Sequence, residues 1–93
     1  MPSRAAQYAR AEERRTKLGI VKVRAQCKDC PPEITWPAEA LDFDHLPGHE
    51  KLFDLGHAQT RSWSSIQAEM EKCEVVCAGH HRIRTNQRRS VAA

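Results

Sequence analysis

The stretch Cys73-Glu74-Val75-Val76-Cys77-Ala78-Gly79-His80-His81 carries cysteine and histidine at the spacing of metal ligands, and its upstream counterpart is Cys27-Lys28-Asp29-Cys30. Structural zinc takes four nitrogen or sulfur ligands, and two residues separated by two others can reach one ion from a single tight turn. Cys77 and His80 have this spacing, whereas Cys73 and Cys77 form a competing all-cysteine pair. We therefore predict a structural zinc site built by Cys27, Cys30, Cys77 and His80. Cys73 is the alternative ligand.

The charge of the chain is divided along its length. The 93 residues carry a formal charge of +3, and a domain of this size rarely has enough apolar core without a staple such as a metal. Residues 1–24 carry seven basic side chains against two acids, residues 25–81 carry four against ten, and residues 82–93 carry four with no acid. Two basic arms suit a phosphate backbone, and an acidic centre bearing cysteine and histidine suits metal ions.

Segments for membranes or export are not expected in this sequence. No apolar run approaches the roughly 20 residues that a membrane helix needs, and the N-terminus is rich in Ala, Arg and Glu rather than in the apolar residues of a signal peptide. We expect a cytoplasmic protein without a membrane partner. In that reducing compartment, clustered cysteines indicate metal ligands before disulfides.

The first half of the chain has the pattern of a helix followed by extended segments. Ser3 is a suitable cap for a helix that continues to Leu18 and stops at Gly19. Residues 20–23 are then expected to be extended. Apolar and polar residues alternate over residues 41–45, which predicts a strand with Asp42 and Asp44 on one face.

The second half predicts a helix, a strand and a final helix. Ser62 or Ser64 is expected to cap a helix ending at Met70 or Glu71. The run Cys73–Cys77 is typical of a strand. The last helix is expected over residues 79–89, followed by a disordered tail over residues 90–93.

A second group of residues, Asp44, His45 and His81, has the parts of a hydrolytic metal site. Such a site needs protein ligands that leave coordination positions open, a base that deprotonates water, and positive charge that holds the phosphate. Asp44 offers a hard oxygen ligand, His81 a nitrogen ligand, and His45 a base oriented by a backbone carbonyl. The final helix supplies the cations expected to bind DNA, namely Arg82, Arg84, Arg88 and Arg89.

The order of motifs resembles that of the HNH endonucleases, in particular the small zinc-stapled phage and bacterial type. The resemblance covers about residues 24–88 through CxxC, LDFDHLPG, KLFDLG and EKCEVVCAGHHRIRT. It implies an α+β chain with the ββα-metal fold, in which a β-hairpin and a helix surround one catalytic divalent ion such as Mg²⁺ or Mn²⁺. By this resemblance Asp44 and His81 bind that ion and His45 is the general base. It also makes Cys73 a poorer candidate for the zinc site than His80.

The resemblance also divides the chain and supplies partners. We expect a basic N-terminal arm over residues 1–23, a nuclease domain over 24–89 and the tail over 90–93. The implied activity is hydrolysis of DNA phosphodiester bonds, and the implied partners are DNA and a phage terminase or other DNA-processing protein. Lys72 and Gly79 stand where the family has asparagines. The rival interpretation is a zinc-stapled nucleic-acid-binding module without catalysis.

Overall fold

The chain has α+β architecture, as expected, in a computed structural model that describes residues 3–58 and 60–92, with Ala92 described in its backbone alone. Within these residues a two-stranded antiparallel sheet is combined with three α-helices. In chain order the elements are α1 (Arg4–Ala25), β1 (Leu41–His45), α2 (Trp63–Met70), β2 (Cys73–Cys77) and α3 (Ala78–Ala92). Single turns of 3₁₀ helix lie at Ala38–Ala40 and Leu55–His57.

Helix α1 is longer than its sequence suggests. Its start is confirmed, because the Ser3 hydroxyl accepts a hydrogen bond from the Ala6 N–H at 3.2 Å. The predicted stop at Gly19 and the extended segment after it are wrong, since the helix runs through both to Ala25. Burial of Leu18 against the protein body outweighs the weak helix propensity of glycine and β-branched residues.

Gln26 directly follows the last residue of α1 and caps the helix, and it has a positive φ of 58°. This conformation is uncommon for a residue with a side chain, and here the side chain itself holds it. Its amide donates to the carbonyls of Val23 at 2.8 Å and Trp36 at 3.0 Å, and its oxygen accepts from the Trp36 N–H at 2.6 Å. The chain thereby leaves the helix in the direction of Cys27.

The sheet pairs β1 with β2 in a register that places Leu41 opposite Cys77 and His45 opposite Cys73. The strand predictions are confirmed, and His45 lies within β1. Asp42 and Asp44 share one face, because both approach the ring of His81. Helix α3 follows β2 without a connecting loop, so His80 and His81 lie in the first turn of α3, next to the end of the sheet.

The core consists of two clusters that meet at Phe43. One packs around Cys27, Leu41 and Val76 on the metal-ligand side of the sheet. The other joins α1 to α2 through Leu18, Leu55, Ala58 and Ile66. Phe43 contacts both clusters. Leu18 therefore anchors α1 to this core.

The bounds of α2 agree with the sequence prediction, whereas α3 is longer than predicted. Helix α2 begins after Ser62, whose hydroxyl accepts from the Ser65 N–H at 3.2 Å, and it ends at Met70. Helix α3 continues through residues 90–92, where we expected the disordered tail to start. Met1, Pro2 and Ala93, in the expected arm and tail, lie outside the described residues. The division into arm, nuclease domain and tail stays a prediction.

None of the helices in the described ranges combines the length and the hydropathy that a membrane span requires.

Candidate metal centre and cleft

Four side chains that the sequence assigns to a zinc site come together in the structure: Cys27, Cys30, Cys77 and His80. Their ligand atoms all lie within 4.8 Å of one another. The Sγ atoms of Cys30 and Cys77 are 3.8 Å apart. Two sulfurs held tetrahedrally at about 2.3 Å from one zinc ion would be separated by about 3.8 Å. The cluster can therefore hold one metal ion such as zinc, and Cys73 is not a member of it.

Backbone hydrogen bonds bring the two halves of this cluster together. The Lys28 N–H donates to the Val75 carbonyl at 2.8 Å, which ties the Cys27–Cys30 turn to β2. At the other half, the His80 N–H donates to the Cys77 sulfur at 3.4 Å, and the His80 Nδ1 lies 3.2 Å from the same sulfur. The start of α3 thus turns His80 back onto the cysteines.

The surroundings of the cluster favour a thiolate at Cys27. Burial raises the pKa of this thiol, but hydrogen bonds from the Cys77 backbone and from Cys30 outweigh burial and lower the pKa below its ordinary value. The Trp36 indole N–H donates to the Cys30 sulfur at 3.4 Å. Hydrogen-bond donors to a ligand sulfur help to orient that ligand, so the Trp36 indole helps to position Cys30.

A cleft of about 630 Å³ opens along β1. We call it the β1 cleft. It lies between α1, the loop over residues 51–57 and α3. Its titratable lining consists of Asp42, Asp44, His45, Asp54, His57 and His81. Its basic lining consists of Arg15, Lys22, Lys51 and Arg88.

Two aspartates of β1 lie next to the two nitrogens of His81. Its Nδ1 lies 3.0 Å from a carboxylate oxygen of Asp42, and its Nε2 lies 3.6 Å from a carboxylate oxygen of Asp44. A carboxylate can only accept, so Nδ1 donates to Asp42 and Nε2 of the neutral ring keeps its lone pair. The predicted ligands Asp44 and His81 are therefore neighbours, and Asp42 orients the histidine.

Asp44 is buried and is bound by two arginines of α3. Arg88 donates to both carboxylate oxygens, at 2.7 and 2.8 Å, and Arg84 donates to one of them at 2.9 Å. Burial raises the pKa of Asp44, but the hydrogen bonds from Arg88 and Arg84 outweigh burial and lower it below its ordinary value. Asp44 is thus an ionised buried carboxylate.

Arg84 joins this aspartate to the metal cluster. Its guanidinium donates twice to Asp29, at 2.6 and 2.8 Å, and once to Glu74 at 3.0 Å, in addition to its bond with Asp44. Asp29 lies between Cys27 and Cys30 in the sequence. We expected Arg84 to clamp a phosphate, but the structure commits it to three carboxylates. Of the predicted DNA-binding arginines, Arg82 and Arg89 are exposed.

His45 is oriented by a carboxylate that the sequence did not single out. The Nε2 of His45 lies 2.8 Å from an oxygen of Glu69, a residue of α2 that is 1% exposed. The expectation of a backbone carbonyl as its partner is therefore wrong. Glu69 follows the buried Ile66 by three residues on α2, and this spacing was the available signal.

Glu69 is surrounded by donors. Lys72 donates to one carboxylate oxygen at 2.9 Å, and the Leu52 N–H donates to the other at 3.2 Å, beside His45. Burial raises the pKa of Glu69, but the hydrogen bonds from Lys72, His45 and Leu52 outweigh it and lower the pKa to about 2. Lys72 also donates to the Glu50 carbonyl at 2.7 Å. It therefore fastens the loop after β1, at a position where the resemblance implies asparagine.

Three further residues, Gly79, His49 and His57, lie outside the contacts described so far. Gly79 lies in the first turn of α3, and a Cβ there would be 3.9 Å from the Cys77 sulfur. His49 is exposed, while His57, which was not among the predicted site residues, lines the β1 cleft.

Comparison with known proteins returns no match to a family model, a curated protein or a solved structure.

Proposed function

We propose that this protein is a metal-dependent endonuclease of the HNH type that hydrolyses DNA phosphodiester bonds. The observation that carries the proposal is the meeting of Asp44, His45 and His81 in one cleft that also has basic side chains. A hydrolytic site needs metal ligands, a base and cations, and this combination supplies all three.

The residues present fit a divalent ion at Asp44 and His81. Nε2 of His81, the nitrogen that carries the lone pair when the ring is neutral, faces the Asp44 carboxylate at 3.6 Å, and a mixed nitrogen and oxygen donor set suits first-row divalent ions. A bound ion would supply positive charge against the phosphate. The four-ligand cluster at Cys27, Cys30, Cys77 and His80 would hold a separate structural zinc ion, whose role is to fix the start of α3 beneath His81.

In the proposed reaction His45 removes a proton from water. The water oxygen then forms a bond to phosphorus, the bond from phosphorus to the 3′ oxygen of the preceding nucleotide breaks, and that oxygen takes up a proton. His45 lines the cleft and is held by Glu69. Arg88 lines the cleft and contacts Asp44 directly, so its positive charge would help to stabilise the negative charge of the phosphate.

Plasmid nicking tests the proposal. The zinc-loaded protein is incubated with supercoiled DNA and Mg²⁺, Mn²⁺, additional Zn²⁺ or EDTA. We expect nicking that EDTA abolishes and that His45→Ala reduces about 10²- to 10⁴-fold, as for loss of a general base. His49→Ala is the matched control, because His49 is exposed and lies outside the lining of the cleft. Full activity of His45→Ala would overturn the assignment.

The charge around Asp44 supports a second candidate, a zinc-stapled nucleic-acid-binding module without catalysis. Both oxygens of Asp44 already accept hydrogen bonds from Arg84 and Arg88, which is how a structural carboxylate is satisfied. This candidate predicts DNA binding with no nicking under any of the metal conditions. It also predicts that His81→Ala leaves DNA binding unchanged in the presence and absence of Mn²⁺.

Two further expectations belong to the proposal by resemblance. DNA is the proposed substrate and partner, and a terminase or other DNA-processing protein is a proposed second partner. A cytoplasmic location stays a prediction.

A further inference from the structure

The buried carboxylate of Glu69 has no part in metal binding, yet it is placed against the proposed base. Its Oε2 lies 2.8 Å from Nε2 of His45 and accepts the Leu52 N–H at 3.2 Å. Its Oε1 accepts from Lys72 at 2.9 Å. An ionised carboxylate offers acceptors only, so the neutral ring of His45 must carry its proton on Nε2.

We propose that Glu69 is a positioning residue, which fixes the His45 ring with Nε2–H turned into the protein and leaves Nδ1 as the nitrogen that takes a proton from water. The side chain of His45 is 15% exposed and lines the β1 cleft, while Glu69 anchors its Nε2. Buried carboxylates that hold an imidazole select its tautomer and orientation. The effect on rate rests on the proposed function, whereas the tautomer does not.

The bonds of Glu69 explain why the ring cannot rotate freely. Lys72 anchors one oxygen and also binds the Glu50 carbonyl at 2.7 Å, while Leu52 anchors the other oxygen. The carboxylate is thus fixed to both α2 and the loop that follows β1. Because Leu52 and Lys72 also tie Glu69 to the loop after β1, a test has to separate the effect of Glu69 on the His45 ring from its effect on that loop.

A paired substitution isolates the acceptor. Lys72→Met keeps the contact between Glu69 and His45, whereas Glu69→Met combined with Lys72→Met replaces the whole buried ion pair with apolar side chains of similar size. Such replacements are often neutral or stabilising for folding. We expect the double variant to lose roughly 10- to 100-fold in kcat relative to Lys72→Met, as for loss of an outer-shell partner, with KM for DNA unchanged. Glu71→Gln, on an exposed neighbour, is the control for charge.

Two readouts separate positioning from a structural role. In the His45→Ala background, removal of Glu69 should cost no further activity if it acts by positioning the ring, whereas an effect through the loop would persist there. Nitrogen-proton correlation spectra of the imidazole should show His45 as the Nε2–H tautomer in the wild type and a mixture of tautomers in the double variant. If the double variant does not fold, Glu69→Gln is measured in the same way.

Equal kcat in the two methionine variants, further loss in the His45→Ala background, or an Nδ1–H tautomer in the wild type would overturn this inference. If the wild type does not nick DNA with any metal, the proposed function fails, and the spectrum of His45 alone decides whether Glu69 fixes its tautomer.

Discussion

Asp42 accepts a hydrogen bond from Nδ1 of His81 at 3.0 Å, while the other nitrogen of that ring faces Asp44. The side chains of Asp42, His81 and Asp44 therefore lie in a row across one face of β1, and His81 and Asp44 are the two candidate metal ligands. This sequence of contacts is the arrangement in which an outer carboxylate orients a metal-binding histidine and raises its basicity.

The first prediction concerns Asp42. Asp42→Asn should weaken binding of Mn²⁺ at the β1 cleft about 10-fold, because the amide no longer fixes the His81 ring as a charged acceptor does. Titration of the zinc-loaded protein with Mn²⁺, followed by electron paramagnetic resonance, measures the change. Asp54→Asn is the control, since Asp54 lines the same cleft but pairs with Lys51. Equal weakening by both variants would contradict the orienting role.

The second prediction concerns the metal cluster. Cys27→Ser should release the structural metal and unfold the chain, because binding of a structural zinc ion is coupled to folding. Cys73→Ser should keep one zinc ion per chain and cost about 1 kcal/mol, since its thiol makes only a weak hydrogen bond to the Glu69 carbonyl. Elemental analysis and circular dichroism give both results. Loss of zinc from Cys73→Ser would reinstate the alternative ligand.

The third prediction concerns Arg84, which binds Asp29, Asp44 and Glu74 with a side chain that is 15% exposed. Arg84→Met should lower the free energy of unfolding by about 2–3 kcal/mol, because it leaves partly buried carboxylates short of a cation. Arg82→Met, on an exposed neighbour, should stay within about 0.5 kcal/mol of the wild type. Urea unfolding compares them, and similar midpoints for the two variants would show that the network contributes little.

The fourth prediction uses the pH dependence of stability. Glu69 has a pKa of about 2 in the folded protein against 4.5 for the free side chain, so its contribution is complete above pH 4.5 and is lost as the pH falls through 2. Between pH 6 and 3.5 the stability of the wild type relative to Glu69→Gln should fall by about 1.4 kcal/mol. We expect both proteins to release zinc alike in acid, so the difference between them reports on residue 69. A pH-independent difference between the two unfolding curves would rule out this contribution.

The fifth prediction concerns α1 as a wall of the β1 cleft. Arg15 lines the cleft, and Arg24, nine residues later, lies on the opposite side of the helix at 3.6 residues per turn. Arg15→Gln should reduce the salt slope of DNA binding by about 0.9, the effect of one phosphate contact. Arg24→Gln should leave the slope unchanged. Deleting the helix is not a usable test, because Leu18 belongs to the core.

Local patterns in the sequence predict most of the elements and the metal ligands. The alternation in Leu41–His45, the serines before α1 and α2, and the two-residue spacing in Cys27–Cys30 and Cys77–His80 are all short-range signals. The continuation of α1 beyond Gly19 could not be predicted in this way. It depends on Leu18 finding Leu55 and Ile66, which are distant in the sequence.

The sequence by itself determined the candidate ligands of the metal cluster, the strand that carries Asp44 and His45, and the basic character of both ends; the tertiary structure then excluded the alternative ligand Cys73. Spacing along the chain decides these features, because they need only residues within one turn or one strand. Only the tertiary structure decided that Glu69 holds His45, that Arg84 and Arg88 bind Asp44, and that Asp42 orients His81. These contacts join residues from different elements. Burial of charge requires partners for the carboxylates of Asp44 and Glu69, and no local pattern identifies those partners.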